Sequence, residues 1–154
     1  MGSFALDNGG TIMKRLLALG CFVLLTFAVQ HAQAQSQPQP YKVVFDLTSS
    51  DPLDQRAVLR WIKEVSSVNP KTDMEVVMYA RGLELVVPEK STLTAEVKEA
   101  MSSARVSFKV CAIAMKNQKI EKSQLLPNVD VVPDGIGEIV AKQREGWGYI
   151  KVMR

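Results

Sequence analysis

Histidine and cysteine are the scarcest reactive residues here: one histidine and two cysteines among 154 residues. They cannot supply the four ligands of a structural zinc site, so no metal centre is expected. Glycine-rich phosphate chemistry is missing as well. No glycine loop ends in Lys-Ser or Lys-Thr, and Asp134-Gly135-Ile136-Gly137 is too short for a dinucleotide fingerprint, so no cofactor is expected. Charge of one sign is also lacking. The 19 Lys+Arg stand against 16 Asp+Glu, and a formal +3 spread evenly along the chain gives no footprint for a nucleic-acid partner. With 47% hydrophobic and 23% charged residues, nine glycines and seven prolines, the composition is that of a globular domain. It excludes a disordered, collagen-like or disulfide-scaffold chain.

The longest apolar run is Leu16 to Val29, shorter than the ~20 residues that span a bilayer. Lys14 and Arg15 precede it and Gln30-His31-Ala32-Gln33-Ala34 follows. A basic start, an apolar middle and a small-x-small end predict a secretory signal peptide over residues 1–34, cleaved after Ala34. Met13 begins a leader of more usual form than Met1 does. Cys21 does not suit a lipoprotein, because it stands only five residues after Arg15 and Ala18 replaces a larger aliphatic residue. Cleavage removes Lys14, Arg15, Asp7, His31 and Cys21, which lowers the formal charge from +3 to +2 and leaves Cys111 as the single cysteine. The expected mature protein is periplasmic or secreted and has no membrane segment. Within one subunit it can build no Ser-His-Asp triad, Cys-His dyad or intramolecular disulfide.

Residues 35–40 form a flexible Gln/Pro tail, and residues 41–154 read as one domain. Strands are expected at Tyr41–Leu47, Met74–Tyr79, Val106–Cys111, Val129–Val132 and Trp147–Val152. The first helix starts at Asp51-Pro52-Leu53-Asp54: Asp51 caps a free N–H, Pro52 suits the first helical position, and Asp54 faces the positive helix end. Its buried stripe is predicted as Leu53, Ala57, Val58, Trp61, Ile62 and Val65. Further helices are expected at Thr94–Ala104, from Ala112 to Asn117, and from Gly135 through Glu145. Strands that alternate with helices and are apolar on both faces predict an α/β fold. It is a three-layer α/β/α sandwich with a mostly parallel sheet of about five strands. Strand order does not follow from the pattern.

Ligands of open parallel sheets bind at the carboxyl ends of the strands. Three loops qualify: Ala80-Arg81-Gly82, the segment from Cys111 onward, and Pro133-Asp134-Gly135. Cys111 is the one strong nucleophile among them. A helix starting at Ala112 would hold its sulfur near free N–H groups, which favour a thiolate, with Lys109 on the same strand face and Lys116 nearby. Free cysteine is also among the most buried residue types, and Val110-Cys111-Ala112-Ile113 reads equally as core. Trp147 and Tyr149 suit a core or subunit interface.

Five pieces in order carry a resemblance to a known family. They are Tyr41-Lys-Val-Val-Phe-Asp-Leu47, Glu75-Val-Val-Met-Tyr-Ala-Arg-Gly82, Val106 to Met115, Val131-Val-Pro-Asp-Gly-Ile-Gly-Glu-Ile139, and Gln143-Arg-Glu-Gly-Trp-Gly-Tyr-Ile-Lys151. Together they resemble the DsrE/DsrF-like proteins over Tyr41 to Val152, with the family's characteristic cysteine falling on Cys111. The resemblance implies a small α/β domain assembling into dimers, trimers or hexamers. It implies that Cys111 carries sulfur as a persulfide between a thiol-containing donor and an acceptor protein. Arg81 and Asn117 would be pocket residues, and Gly82 and Gly135 would shape the walls. The alternative is a non-enzymatic oligomeric binding module with Cys111 in its core, suggested by the apolar Ala112, Ile113 and Ala114.

Overall fold

A computed structural model describes residues 39–153. The predicted leader and tail residues 35–38 lie outside the described residues. Five strands follow in chain order: β1 (Lys42–Leu47), β2 (Asp73–Met78), β3 (Val106–Cys111), β4 (Asp130–Val132) and β5 (Gly148–Lys151). They form one sheet in the order β4-β3-β2-β1-β5, and every neighbouring pair is parallel. The helices are α1 (Pro52–Val68), α2 (Thr94–Met101), α3 (Ala112–Gln118) and α4 (Gly135–Arg144), with 3-10 turns at Gly82–Val86 and Lys122–Gln124. None of the described helices is long and apolar enough to cross a membrane.

Alternation sorts the strand residues onto two faces. Val43, Phe45 and Leu47 of β1, Met74, Val76 and Met78 of β2, and Val106, Phe108 and Val110 of β3 join the larger core, with Val58 and Ile62 of α1 and Val97 of α2. Phe45 and Phe108 are fully enclosed, and burying one such side chain is worth about 1.5–3 kcal/mol. The opposite face is poorer. Its buried apolar cluster is Val44, Val77 and Ile139, covered by α4, with Tyr79 and Trp147 packed against it. The remaining residues on that face include Asp46, Glu75, Ser107 and Lys109. The sandwich therefore has three layers of unequal strength.

Asp51 caps α1 as expected, its Oδ1 accepting from the Leu53 N–H at 2.8 Å. The predicted stripe of α1 is shifted. Leu53 is exposed, Trp61 and Val65 are only partly covered, and Gln55 and Leu59 are buried instead. Leu53 sits exposed in the first turn, whereas the Gln55 amide turns inward to Ser49 O at 3.4 Å. The α2 helix stops at Met101 rather than Ala104, because Ser102 turns its hydroxyl back onto Glu99 O at 2.6 Å. The last strand starts one residue late, which leaves Trp147 ahead of β5.

Candidate functional site

Cys111 is the last residue of β3 and pairs with Val132 of β4. From these two adjacent strands the chain leaves in opposite directions. The segment after β3 enters α3, whose Ala114 and Met115 belong to the larger core. The segment after β4 enters α4, whose Ile139 belongs to the smaller one. Such a divergence opens a crevice at the carboxyl ends of the strands. Here it is a cavity of about 410 Å³, lined by Tyr79, Ala80, Arg81, Cys111, Ile113, Ala114, Asn117, Gln118, Asp134 and Ile136.

Two helix starts meet at the sulfur. Cys111 is itself the N-cap of α3. Gly135, the first residue of α4, lies so close that a Cβ there would stand 3.1 Å from the Cys111 Cβ and 3.4 Å from the Tyr79 Cβ. Asp134 caps α4, accepting from the Ile136 N–H at 3.0 Å. The start of α3 has no side-chain cap, whereas the start of α4 is already met by the Asp134 carboxylate. Cys111 is nevertheless only 4% exposed, while Ile113 (54%) and Ile136 (58%) stand out at the mouth of the cavity. Opposite them the loop is held by the Gln118 amide, which donates to the Ala80 carbonyl, with Ala80 in a left-handed conformation at φ 47°.

Behind Tyr79 runs a polar row along the carboxyl edge of the sheet. The buried Asp46 carboxylate accepts from Tyr79 Oη (3.2 Å), Tyr149 Oη (2.7 Å) and Lys151 Nζ (3.0 Å). Lys151 Nζ also reaches Thr48 Oγ1 at 2.9 Å and lies over the Tyr79 ring. The hydrogen bond to Asp46, then burial, pushes the Tyr149 phenol up to about 12. Burial, then the Asp46 charge, raises that of Tyr79.

The residues expected from the sequence fare differently. Cys111, Arg81 and Asn117 line one cavity. The Arg81 guanidinium is tied to Glu84, Nε to Oε1 at 3.1 Å. Gly135 closes on the thiol, whereas Gly82 lies outside the lining, against Leu47 and Thr48. Lys109 shares the face of Cys111, but its ammonium is held by Asp130 at 2.6 Å, and Lys116 is exposed on α3. Burial lowers and the Asp130 hydrogen bond and charge raise the Lys109 ammonium, which ends above its ordinary value. Tyr79 and Ile136 did not stand out in the sequence as site residues, and Asp134 did so only as part of the Pro133-Asp134-Gly135 loop. Asp46 and Glu75 carried a signal, as lone carboxylates inside apolar parallel strands. No cluster of metal-ligating side chains occurs among the described residues. A groove of about 430 Å³ lies between α1 and α2, with Arg56, Arg60 and Lys63 around Leu59 and Ile62, and no cysteine lines it.

A family model described as the DsrE/DsrF-like family matches residues 42–152. Among solved structures, the chain is similar to a protein of unknown function from Methanobacterium thermoautotrophicum. The two are 29% identical with a TM-score of 0.68, over 72% of this chain and 98% of that one. A conserved protein of unknown function from Bacteroides thetaiotaomicron matches at 12% identity and TM-score 0.61, over 72% of this chain and 94% of the other, and shares the fold alone. No curated protein matches the chain.

Proposed function

The chain belongs to the DsrE/DsrF-like family, a sulfur-relay-related family, and we propose from that premise that Cys111 carries sulfane sulfur as a persulfide. The observation that supports this reading is the place of the thiol: at the divergence of β3 and β4, on the wall of a cavity, between two helix starts. The Cys111 thiolate attacks the outer sulfur of a donor such as thiosulfate. A Cys–S–S⁻ bond forms, the donor S–S bond breaks, and sulfite leaves with the electron pair. An acceptor thiolate then attacks the outer sulfur and releases Cys111 as a thiolate, with no net oxidation. Arg81, Asn117 and Gln118 border the path, and Ile113 and Ile136 present an apolar mouth to the thiol-containing partner. The proposal includes export, with cleavage after Ala34, and assembly into a homo-oligomer.

Incubation with thiosulfate or polysulfide should add units of about 32 Da, the mass of one sulfur, to the wild-type protein and none to Cys111→Ser. Equal addition to both, or addition to neither, would falsify the proposal. A second reading draws on the 4% exposure of Cys111: an oligomeric binding module in which the thiol is core. It predicts native Cys111 that resists iodoacetamide as slowly as global unfolding allows. Labelling faster than unfolding rules that module out.

A further inference from the structure

A persulfide carrier needs its sulfur reached, yet Cys111 is covered by the start of α4. What holds α4 down is unusual. Its apolar attachment is Ile139 on Val44 and Val77. Alongside it lies a charged cluster centred on Glu75 of β2, which is 3% exposed. Lys142 Nζ of α4 stands 3.7 Å from Glu75 Oε2 and 3.7 Å from each of the Glu138 and Glu145 carboxylates. Three carboxylates thus share one ammonium, which also lies over the Trp147 ring at 4.8 Å. From β3, Ser107 Oγ donates to Glu75 Oε2 at 3.3 Å, and Lys109 faces the cluster while bound to Asp130 of β4. From β1 the register partner of Glu75 is the uncharged Val44, and Lys42, on the same strand face, lies over the other side of the neighbourhood at 5.8 Å from the Trp147 ring, with no ion pair to Glu75. Glu75 Oε1 is buried and has no hydrogen-bond partner.

We infer that α4 is a proton-dependent cover over Cys111, closed when Glu75 is protonated and loosened when Glu75 ionises beneath it. A neutral Glu75 can donate to the Glu138 carboxylate and leaves Lys142 to balance Glu138 and Glu145. An ionised Glu75 places a second carboxylate against Glu138, with one ammonium for three anions and a dry Oε1. Burial first, and Glu138 after it, raise the Glu75 carboxyl to about 7 against the pull of Lys142. The transition therefore falls near neutrality. Gly146, just past the helix at φ 83°, gives the chain after α4 the freedom to turn while its ten residues stay helical. Loosening withdraws Gly135 and Ile136 from the thiol. The inference rests on Cys111 being the reacting thiol only for its consequence, since the motion of α4 is measured without sulfur.

The test is amide hydrogen exchange on the full-length protein at pH 5.5 and 8.5, corrected for the intrinsic exchange rate, beside the rate of Cys111 alkylation. Protection over residues 135–144 should fall about tenfold in wild type, with α1 staying better protected than α4 at both pH values, and Glu75→Gln should show no such fall. The ratio of wild-type to Glu75→Gln alkylation rates should rise over the same range, which cancels the ionisation of the thiol itself. Glu138→Gln, which removes the opposing carboxylate, should shrink the effect and serves where Glu75→Gln does not fold. Parallel pH profiles in wild type and the variants overturn the cover, as does equal protection of α1 and α4 at pH 8.5, which marks global unfolding rather than a local opening. A wild-type protein that shows the α4 transition but gains no sulfur keeps the cover and loses the persulfide reading.

Discussion

At Cys111 the decisive neighbours are Gly135 and Tyr79, which stand 24 and 32 residues away in sequence. Gly135 leaves the space that any side chain would take from the thiol: its missing Cβ would press on Cys111 and Tyr79 at 3.1 and 3.4 Å. Gly135→Ala should therefore cost about 1 kcal/mol in urea unfolding and slow Cys111 alkylation several-fold. Unchanged labelling would mean that the thiol is reached from another side. Asp46 makes a different prediction. It is buried and holds two phenols and an ammonium, so Asp46→Ala should destabilise by about 2–3 kcal/mol. The Tyr149 phenol, pushed up to about 12, should then ionise at lower pH in an ultraviolet titration.

Among the elements, the turn after β2 is the least tolerant. A Cβ on Gly82 would fall 2.0 Å from Leu47 O, a backbone atom that β1 holds in place. Gly82→Ala should cost about 3 kcal/mol or more, seen as a drop in the unfolding midpoint. This glycine was expected to shape the wall of the site. It shapes the wall indirectly, by letting the loop carrying Ala80 and Arg81 lie against the end of β1. Element bounds were largely legible because their causes are local: the Asp51-Pro52 start of α1, the Asp134 cap of α4 and Gly146 beyond its end. The misjudged positions were those set by neighbours. Leu53 looked like part of the α1 stripe, yet it is exposed while Gln55 and Leu59 are buried.

For the whole molecule, the sign of the Glu75 shift fixes a pH dependence. The folded protein holds the Glu75 proton more tightly than the unfolded chain, whose carboxyl has the ordinary value of 4.5. Between pH 4.5 and about 7 the native state therefore binds more protons, and stability falls as pH rises through that window. The contribution lost is on the order of 2–3 kcal/mol, readable as the difference between wild type and Glu75→Gln in urea unfolding at pH 5 and pH 8. A constant difference would count against a buried, protonated Glu75. What the sequence by itself determined is whatever depends on near neighbours along the chain: the alternation that makes an α/β sandwich, the caps, and the one thiol among residues 39–153. Only the tertiary structure decided the strand order β4-β3-β2-β1-β5, and with it the divergence beside Cys111 and the placing of Glu75 under α4. Periodicity encodes which face of a strand is buried, but which strands and helices become neighbours is settled by packing between segments far apart in the chain.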